Sequence, residues 1–222
     1  EIKGFKVQTL ASDTAASGLA GGTWASGGAL NTARKQGGAA GIQTASLAFG
    51  GQSPPLSPNL ADQTESYNGT SWSEVNEINT ARRGMAGLGL YNAAISATGW
   101  TTGQVTNVES WDGTNWTEVN EVNQARQGAG ASGTQTAGLI FGGYKTPAPN
   151  ATNAVESWNG SSWTETTEIN TARNGGSGFG TQTSAILAGG ANAPSLVLVE
   201  SWNGSSWTEV SEINTGRQDL SA

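Results

Sequence analysis

Residues 156–163 read Glu-Ser-Trp-Asn-Gly-Ser-Ser-Trp, and the same eight residues return at 200–207. Close variants stand at 109–116 and at 65–72, where Tyr67 replaces the first Trp. The second Trp of each copy falls at Trp72, Trp116, Trp163 and Trp207, in steps of 44, 47 and 44 residues. A second motif follows each copy. It is Asn79-Thr80-Ala81-Arg82, and it recurs at 123–126, 170–173 and 214–217, with a fifth copy upstream at 31–34. A third motif, Gly-Thr-Gln-Thr-Ala-Gly-Leu-Ile-Phe-Gly-Gly at 133–143, has relatives at 41–51 and 180–190. A fixed period of this length means that one small supersecondary unit is stacked several times, each burying a face on the next.

The content of one period says what the unit is. Leu139-Ile140-Phe141 is a short apolar run ended by Gly-Gly, as a buried strand is. Val155-Glu156-Ser157-Trp158 alternates as a half-buried strand does, and Asn159-Gly160 then supplies a turn that tolerates positive φ. Trp158 and Trp163 flank that turn, as do Trp111 with Trp116 and Trp202 with Trp207, so each pair can stand across a hairpin. Such a cross-strand aromatic pair adds about 0.5–1.5 kcal/mol beyond area burial. The small-residue stretch after each Arg suits a crowded innermost strand. No long segment shows helical spacing of apolar residues. Four strands per period of 44 to 48 residues predict an all-β propeller of four-stranded antiparallel blades. Cutting after each Arg gives repeats 35–82, 83–126, 127–173 and 174–217 within a propeller over 24–222, preceded by an N-terminal segment 1–23 that serves as an anchor or partial blade. The strand read at Trp24 to Arg34 has the character of an outer strand. About five blades are expected if ~30 residues beyond Ala222 supply the other strands of that blade, with four blades plus an extra strand, or a larger ring, as the alternatives.

The order Arg-x-Gly, apolar strand with Gly-Gly, aromatic hairpin, Trp and Arg resembles the kelch repeat. The wording Glu-Ser-Trp-Asn-Gly-Ser-Ser-Trp and Gly-Thr-Gln-Thr departs from ordinary kelch proteins. It is similar to kelch-like structural proteins of marine bacteriophages, cyanophages among them, and so is the opening 2–13, Ile-Lys-Gly-Phe-Lys-Val-Gln-Thr-Leu-Ala-Ser-Asp. The resemblance implies a kelch-type propeller and a virion structural role. The copper radical oxidases on this fold need His ligands and a Cys-linked Tyr, and the chain contains neither His nor Cys.

Composition removes other classes. The net charge is −7, and the four Lys are scattered, so no basic footprint for nucleic acid or an anionic membrane exists. No apolar stretch is long enough for a membrane-spanning helix. Without His or Cys, carboxylates are the remaining acid–base candidates. Twelve of the seventeen acids sit at repeat positions, where Glu65, Glu74 and Glu77 recur in every unit. An active site needs one residue tuned against another, and a copied residue more often serves the blade. The expectation is therefore no enzyme, no catalytic residue, no metal and no cofactor. Arg34, Arg82, Arg126, Arg173 and Arg217 read either as an axial anion-binding ring or as a clamp between blades to a repeated Glu, with the clamp favoured. Gln43, Gln135 and Gln182 read as turn closers rather than as lining of a channel mouth. Asn68, Asn159 and Asn203 spell glycosylation acceptors that turn chemistry already explains.

The repeats differ chiefly in the loop between second and third strands, at 52–63, 101–106, 144–152 and 191–195. These loops share a face with the Asn-Thr-Ala-Arg turns if the blades are antiparallel. Loops on a rigid scaffold are where binding resides. The candidate contact residues are Trp100, Tyr144, Lys145, Asn150 and Asn192. Trp100 reads as the replacement of the second Gly of the Gly-Gly motif and so stands outside the repeated pairs. Two functions are compatible with this pattern. One is a non-catalytic virion structural or attachment protein, on a tail, fibre or capsid surface, that contacts other virion proteins or a host-surface glycan or protein. The alternative is a secreted or cell-surface bacterial adhesin or glycan-binding module. Homo-oligomerisation is compatible with both.

Overall fold

A computed structural model describes residues 27–55, 59–147, 150–192 and 194–219. The N-terminal segment 1–23, and Trp24 with it, lie outside the described residues.

Each repeat forms one antiparallel meander. Blade 1 comprises β1 (Gly38–Ile42), β2 (Ala45–Gln52), β3 (Leu60–Tyr67) and β4 (Trp72–Val75). Blade 2 comprises β5 (Ala86–Leu90), β6 (Ala93–Ala97), β7 (Val108–Trp111) and β8 (Trp116–Val119). Blade 3 comprises β9 (Gly130–Thr134), β10 (Ala137–Phe141), β11 (Val155–Trp158) and β12 (Trp163–Thr166). Blade 4 comprises β13 (Ser177–Gly180), β14 (Ala185–Ala188), β15 (Val199–Trp202) and β16 (Trp207–Val210). The four sheets follow sequence order from inner to outer strand and make a propeller-like all-β array.

The expected count of about five blades is corrected. The described residues hold four blades, and no pairing joins β1 to β13, so the array is open. A fifth blade needs four strands in hydrogen-bonding register. Residues 27–34 supply only a strandless arm that lies against blade 1.

Register confirms the aromatic hairpins. Tyr67 stands opposite Trp72, Trp111 opposite Trp116, Trp158 opposite Trp163 and Trp202 opposite Trp207. Ring centroids in these pairs are 5.0, 5.3, 5.1 and 5.3 Å apart. The pairs do more than pin their own hairpins, because in blades 2 to 4 each covers the apolar face of the preceding blade. Trp111 and Trp116 pack on Leu47, Phe49 and Ile78 of the first repeat, with Met85 of their own repeat completing the cluster. Trp158 and Trp163 pack on Leu88, Ile95, Val108 and Val122 of the second. Trp202 and Trp207 pack on Leu139, Phe141, Val155 and Ile169 of the third. The core therefore lies between blades, as a stack of units with two apolar faces requires.

Crowding at the axis explains the small residues. A Cβ on Gly87 would sit 2.3 Å from the Ala39 carbonyl oxygen, and one on Gly178 would sit 2.5 Å from that of Ala131. Inner strands of consecutive blades thus touch backbone to backbone. Within a blade, Gly38 and Gly130 lie under the rings of Phe49 and Phe141.

Candidate functional site

The repeated Arg is built into a clamp. The arm that leaves one outer strand crosses to the next blade and inserts its Arg beside a buried Glu of that blade's third strand. The pairs are Arg34 with Glu65, Arg82 with Glu109, Arg126 with Glu156 and Arg173 with Glu200. The Arg126 pair spans 3.0 Å and the Arg173 pair 2.8 Å, with both side chains in each pair closed to solvent. The same carboxylate also accepts the first two backbone N–H groups of the arm, as Glu156 does from Asn123 at 2.6 Å and Gln124 at 3.3 Å. One carboxylate therefore holds two backbone N–H groups and the charge of a guanidinium, and that is why Asn-x-Ala-Arg travels with Glu-Ser-aromatic. In blade 2 the guanidinium also reaches Thr98 O at 3.0 Å and Ser96 Oγ at 2.9 Å.

Charge follows the same logic. Glu156 stands directly across the sheet from Glu165, and Glu200 from Glu209. Like charges so placed repel. Each Arg acts on both members: burial lowers the Arg126 pKa, and Glu156 and then Glu165 draw it back up. Arg173 behaves the same way with Glu200 and Glu209, and Arg34 with Glu65 and Glu74.

A second clasp joins blades on the opposite side. Gln135 Nε2 donates to Ser110 Oγ at 2.9 Å and to the Trp111 carbonyl at 2.5 Å, both in the preceding blade. Gln182 repeats this with Ser157 Oγ at 3.0 Å and Trp158 O at 2.5 Å. These glutamines are not turn closers. Thr134 Oγ1 closes the turn by accepting from the Ala137 N–H at 3.2 Å, which leaves the longer amide free to cross the interface.

The variable loops and the Arg turns share one face. Gly51, Gly99, Gly143 and Gly190 each donate a backbone N–H to the carbonyl of Arg82, Arg126, Arg173 and Arg217 respectively, at 2.8 to 2.9 Å. At the centre of this face, Gly84 N donates to Gln36 O, Gly128 N to Gly84 O and Gly175 N to Gly128 O, each at 2.8 Å. Gln36, Gly84, Gly128, Gly175 and Asp219 all hold φ between 53° and 66° at equivalent places. Gly supplies that conformation without strain at three of the five. Around them lies a cavity of 430 Å³ lined by Gln36, Gln127, Tyr144, Asn174, Asp219 and Met85 among others. A second cavity of about 150 Å³ is lined mostly by Gly and Ala at and just before the inner strands, with Met85 and Ser177. The cavity offers carboxamides, one phenol and one carboxylate. That set can hold a neutral polar ligand by hydrogen bonds but contains no nucleophile–base pair.

Tyr144 is the contact candidate that the structure brings to this cavity. Trp100 is half-buried, and its position is corrected. Thr98 and Gly99, with φ of 64° and 121°, take the place of the Gly-Gly pair, and Trp100 follows them. It is the equivalent of Gln52, Tyr144 and Ala191, each of which bridges the residue before the axial turn. Its ring carries the Arg83 guanidinium 4.5 Å from the centroid, and Arg83 Nη1 donates to Gln36 Oε1 at 2.8 Å. The shift arose because a Thr in left-handed geometry carries no signal in its identity. Lys145 is half-buried, and its N–H donates to the carbonyl of exposed Asn150 at 2.7 Å. Asn192 is exposed on the loop of blade 4, away from the cavity lining. Gln127, Asn174 and Asp219 were missed as site residues. Their repeat position, directly after or two after the Arg, was the available signal.

Asn68, Asn159 and Asn203 use Oδ1 to accept the N–H groups two and three residues on, which accounts for the Asn-Gly-Ser/Thr wording as turn chemistry. Among the described residues, no group of three or more His, Cys, Asp or Glu is placed to hold a metal ion, and no helix is long and apolar enough to cross a membrane. Comparison with known proteins gives no match, either to a family model or to a curated protein.

Proposed function

We propose that the chain is a non-catalytic kelch-type propeller scaffold of a phage virion, making contacts with other virion proteins or with a host-surface glycan or protein. The observation that carries this reading is the division of labour between residues. The recurrent buried acids, Glu65, Glu109, Glu156 and Glu200, are consumed in holding blades together. The variation between repeats collects in loops on one face. A rigid array with one variable face suits recognition, since loops can change without disturbing the scaffold. The repeat wording supplies the virion part of the proposal, and the partners would lie outside the nucleic-acid and membrane-inserted classes because no basic surface stripe exists in the sequence.

The test is an antibody against the 144–152 loop, applied to purified phage particles and viewed by negative-stain electron microscopy. Labelling at a fixed place on tail, fibre or capsid supports the proposal. Particles that lack the protein, with the chain found free in the medium, overturn it.

The cavity at the axial mouth favours a second reading, a secreted or cell-surface glycan-binding module. Tyr144 with Gln127 and Asn174 brings a phenol and two carboxamides to the lining, a set suited to sugar hydroxyls. Titration of neutral oligosaccharides against the wild type and Tyr144→Ala separates the two readings. Saturable binding that the variant loses favours the module. Heats equal to dilution in both remove it.

A further inference from the structure

The cavity on the loop face carries a single charge. Asp219 is the one ionic side chain among its lining residues, and no Lys or Arg lines it. Two basic residues belong to the same ring of repeat positions and are held elsewhere. Lys35 and Arg83 directly follow a repeated Arg, as Gln127 and Asn174 do in the third and fourth repeats. Arg83 lies 4.5 Å from the Trp100 ring centroid and donates to Gln36 Oε1 at 2.8 Å. Lys35 is exposed and outside the lining. The cavity is therefore acidic without a cation of its own to balance it.

The uncharged groups around Asp219 present acceptors. Asn174 Nδ2 donates to the Ala191 carbonyl at 3.2 Å, which leaves Oδ1 as its free end. Gln127 Oε1 lies over an axial turn, 3.4 Å from where a Cβ on Gly84 would sit, and Asp219 Oδ1 lies 2.9 Å from the same point on Gly175. Among the described residues, neither the Gln127 amide nor the Asp219 carboxylate has a side-chain hydrogen bond. Gln36 differs, because Arg83 occupies its Oε1 and leaves Nε2 as a donor. The backbone adds an independent sign. Left-handed φ is unstrained for Gly, but Asp219 holds it at 53° with a side chain. Residues held in such conformations cluster at ligand sites, and here the side chain so placed is the cavity's carboxylate.

We infer that this cavity takes an amino sugar, with the protonated amine on Asp219. An ammonium group has three donors and no acceptor, the complement of a carboxylate. The sugar O–H groups donate to Asn174 Oδ1 and Gln127 Oε1, and its oxygens accept from Gln36 Nε2 and the Tyr144 hydroxyl. A neutral sugar would use the amides and leave the carboxylate unmatched. An acidic sugar would meet like charge with no cation in the lining to offset it. The volume of 430 Å³ lies within the range of small-molecule sites, about 300–1,000 Å³. The inference rests on the glycan-binding reading and names the class of glycan; it does not depend on the virion.

The experiment is calorimetric titration of the full chain with the glucosamine disaccharide and with its N-acetylated form, at mildly acidic pH, which keeps the amine protonated. The expected result is that the amine form binds about tenfold or more tightly than the acetylated form. Asp219→Asn keeps a residue that tolerates the left-handed backbone and brings the two sugars within about twofold of each other. Asp112→Asn removes the same charge at an exposed turn outside the lining and restores the Asn of the other repeats, so it leaves the preference intact. Equal binding of the two sugars by wild type overturns the inference and leaves the glycan reading standing. Heats equal to dilution with both sugars overturn the inference, and neutral oligosaccharides that are silent as well remove the glycan reading with it. An equal loss of preference in the two Asn variants assigns the effect to the overall charge of −7 and overturns the site. N-acetyl-lysine amide is the last probe. Tighter binding of that probe than of the amino sugar, lost in Asp219→Asn, would put a protein ammonium in the cavity and overturn the sugar assignment.

Discussion

Replacing Glu156 with Gln tests whether the Arg–Glu clamp holds the array together. The side chain keeps its size and one acceptor, and it loses its charge. Arg126, fully closed to solvent, then loses its ion-pair partner. The new amide must also aim an N–H toward the Asn123 N–H at 2.6 Å or toward the guanidinium at 3.0 Å. Breaking a buried pair by removing one partner costs about 3–5 kcal/mol. In a chain of this length about 2–4 °C of melting temperature follows each kcal/mol, so Glu156→Gln lowers Tm by about 6–20 °C. Arg217→Gln, at an exposed equivalent, moves stability by no more than about 0.5 kcal/mol. Scanning calorimetry of wild type, Glu156→Gln, Arg126→Met and the double variant completes the cycle. The double variant should be less destabilised than the sum of the singles, by about 1–3 kcal/mol, because no charge is left buried alone. A Glu156→Gln protein within 1 kcal/mol of wild type, or strict additivity, would refute the clamp as a buried, coupled pair.

Other outcomes follow from the packing. Trp116 Nε1 donates to Thr64 Oγ1 at 3.1 Å, whereas the indole N–H groups of Trp163 and Trp207 are buried without acceptors against Val108 and Val155. Thr64→Val should therefore cost about 1 kcal/mol, and Val155→Thr should gain up to about 1 kcal/mol, read as opposite shifts in Tm. Gly87→Ala drives a methyl into the Ala39 backbone and should cost at least 1–3 kcal/mol by chemical denaturation, while Gly103→Ala, with nothing within 4 Å, stays within about 0.5 kcal/mol. Trp100→Ala keeps the backbone bridge to Arg83, and Ala191 already occupies the equivalent place, so its cost should stay below about 1.5 kcal/mol; a larger loss of Tm would make Trp100 a core residue.

A buried carboxylate that gathers an Arg and two amides fixes the register between a blade and the arm before it. An apolar face alone could slide. The clamp therefore acts as the positional code of the array, and the aromatic pairs cover the apolar faces between blades.

The sequence by itself determined the unit. The repeat period, the Asn-Gly turns between paired aromatics, and the Gly-Gly ends placed strands and hairpins where the register has them, because these signals are local. It also marked the repeated Arg and Glu as structural, since residues copied into every unit serve the unit. Three things came only from tertiary structure. Which Glu of each repeat meets which Arg depends on an arm crossing to the next blade, about thirty positions away, as Asn79 to Glu109 shows. The role of Gln135 and Gln182 was hidden because a side chain that spans an interface looks, in sequence, like one that closes a turn. The misplacement of Trp100 by one position came from Thr98, whose left-handed φ is imposed by the ladder around it and not by its own preference. The axial mouth, likewise, exists only where four inner strands converge. Local chemistry writes the strands and turns; the contacts between blades, which decide the clamp, the cavity and the open face, are long-range and are fixed only when the units stack.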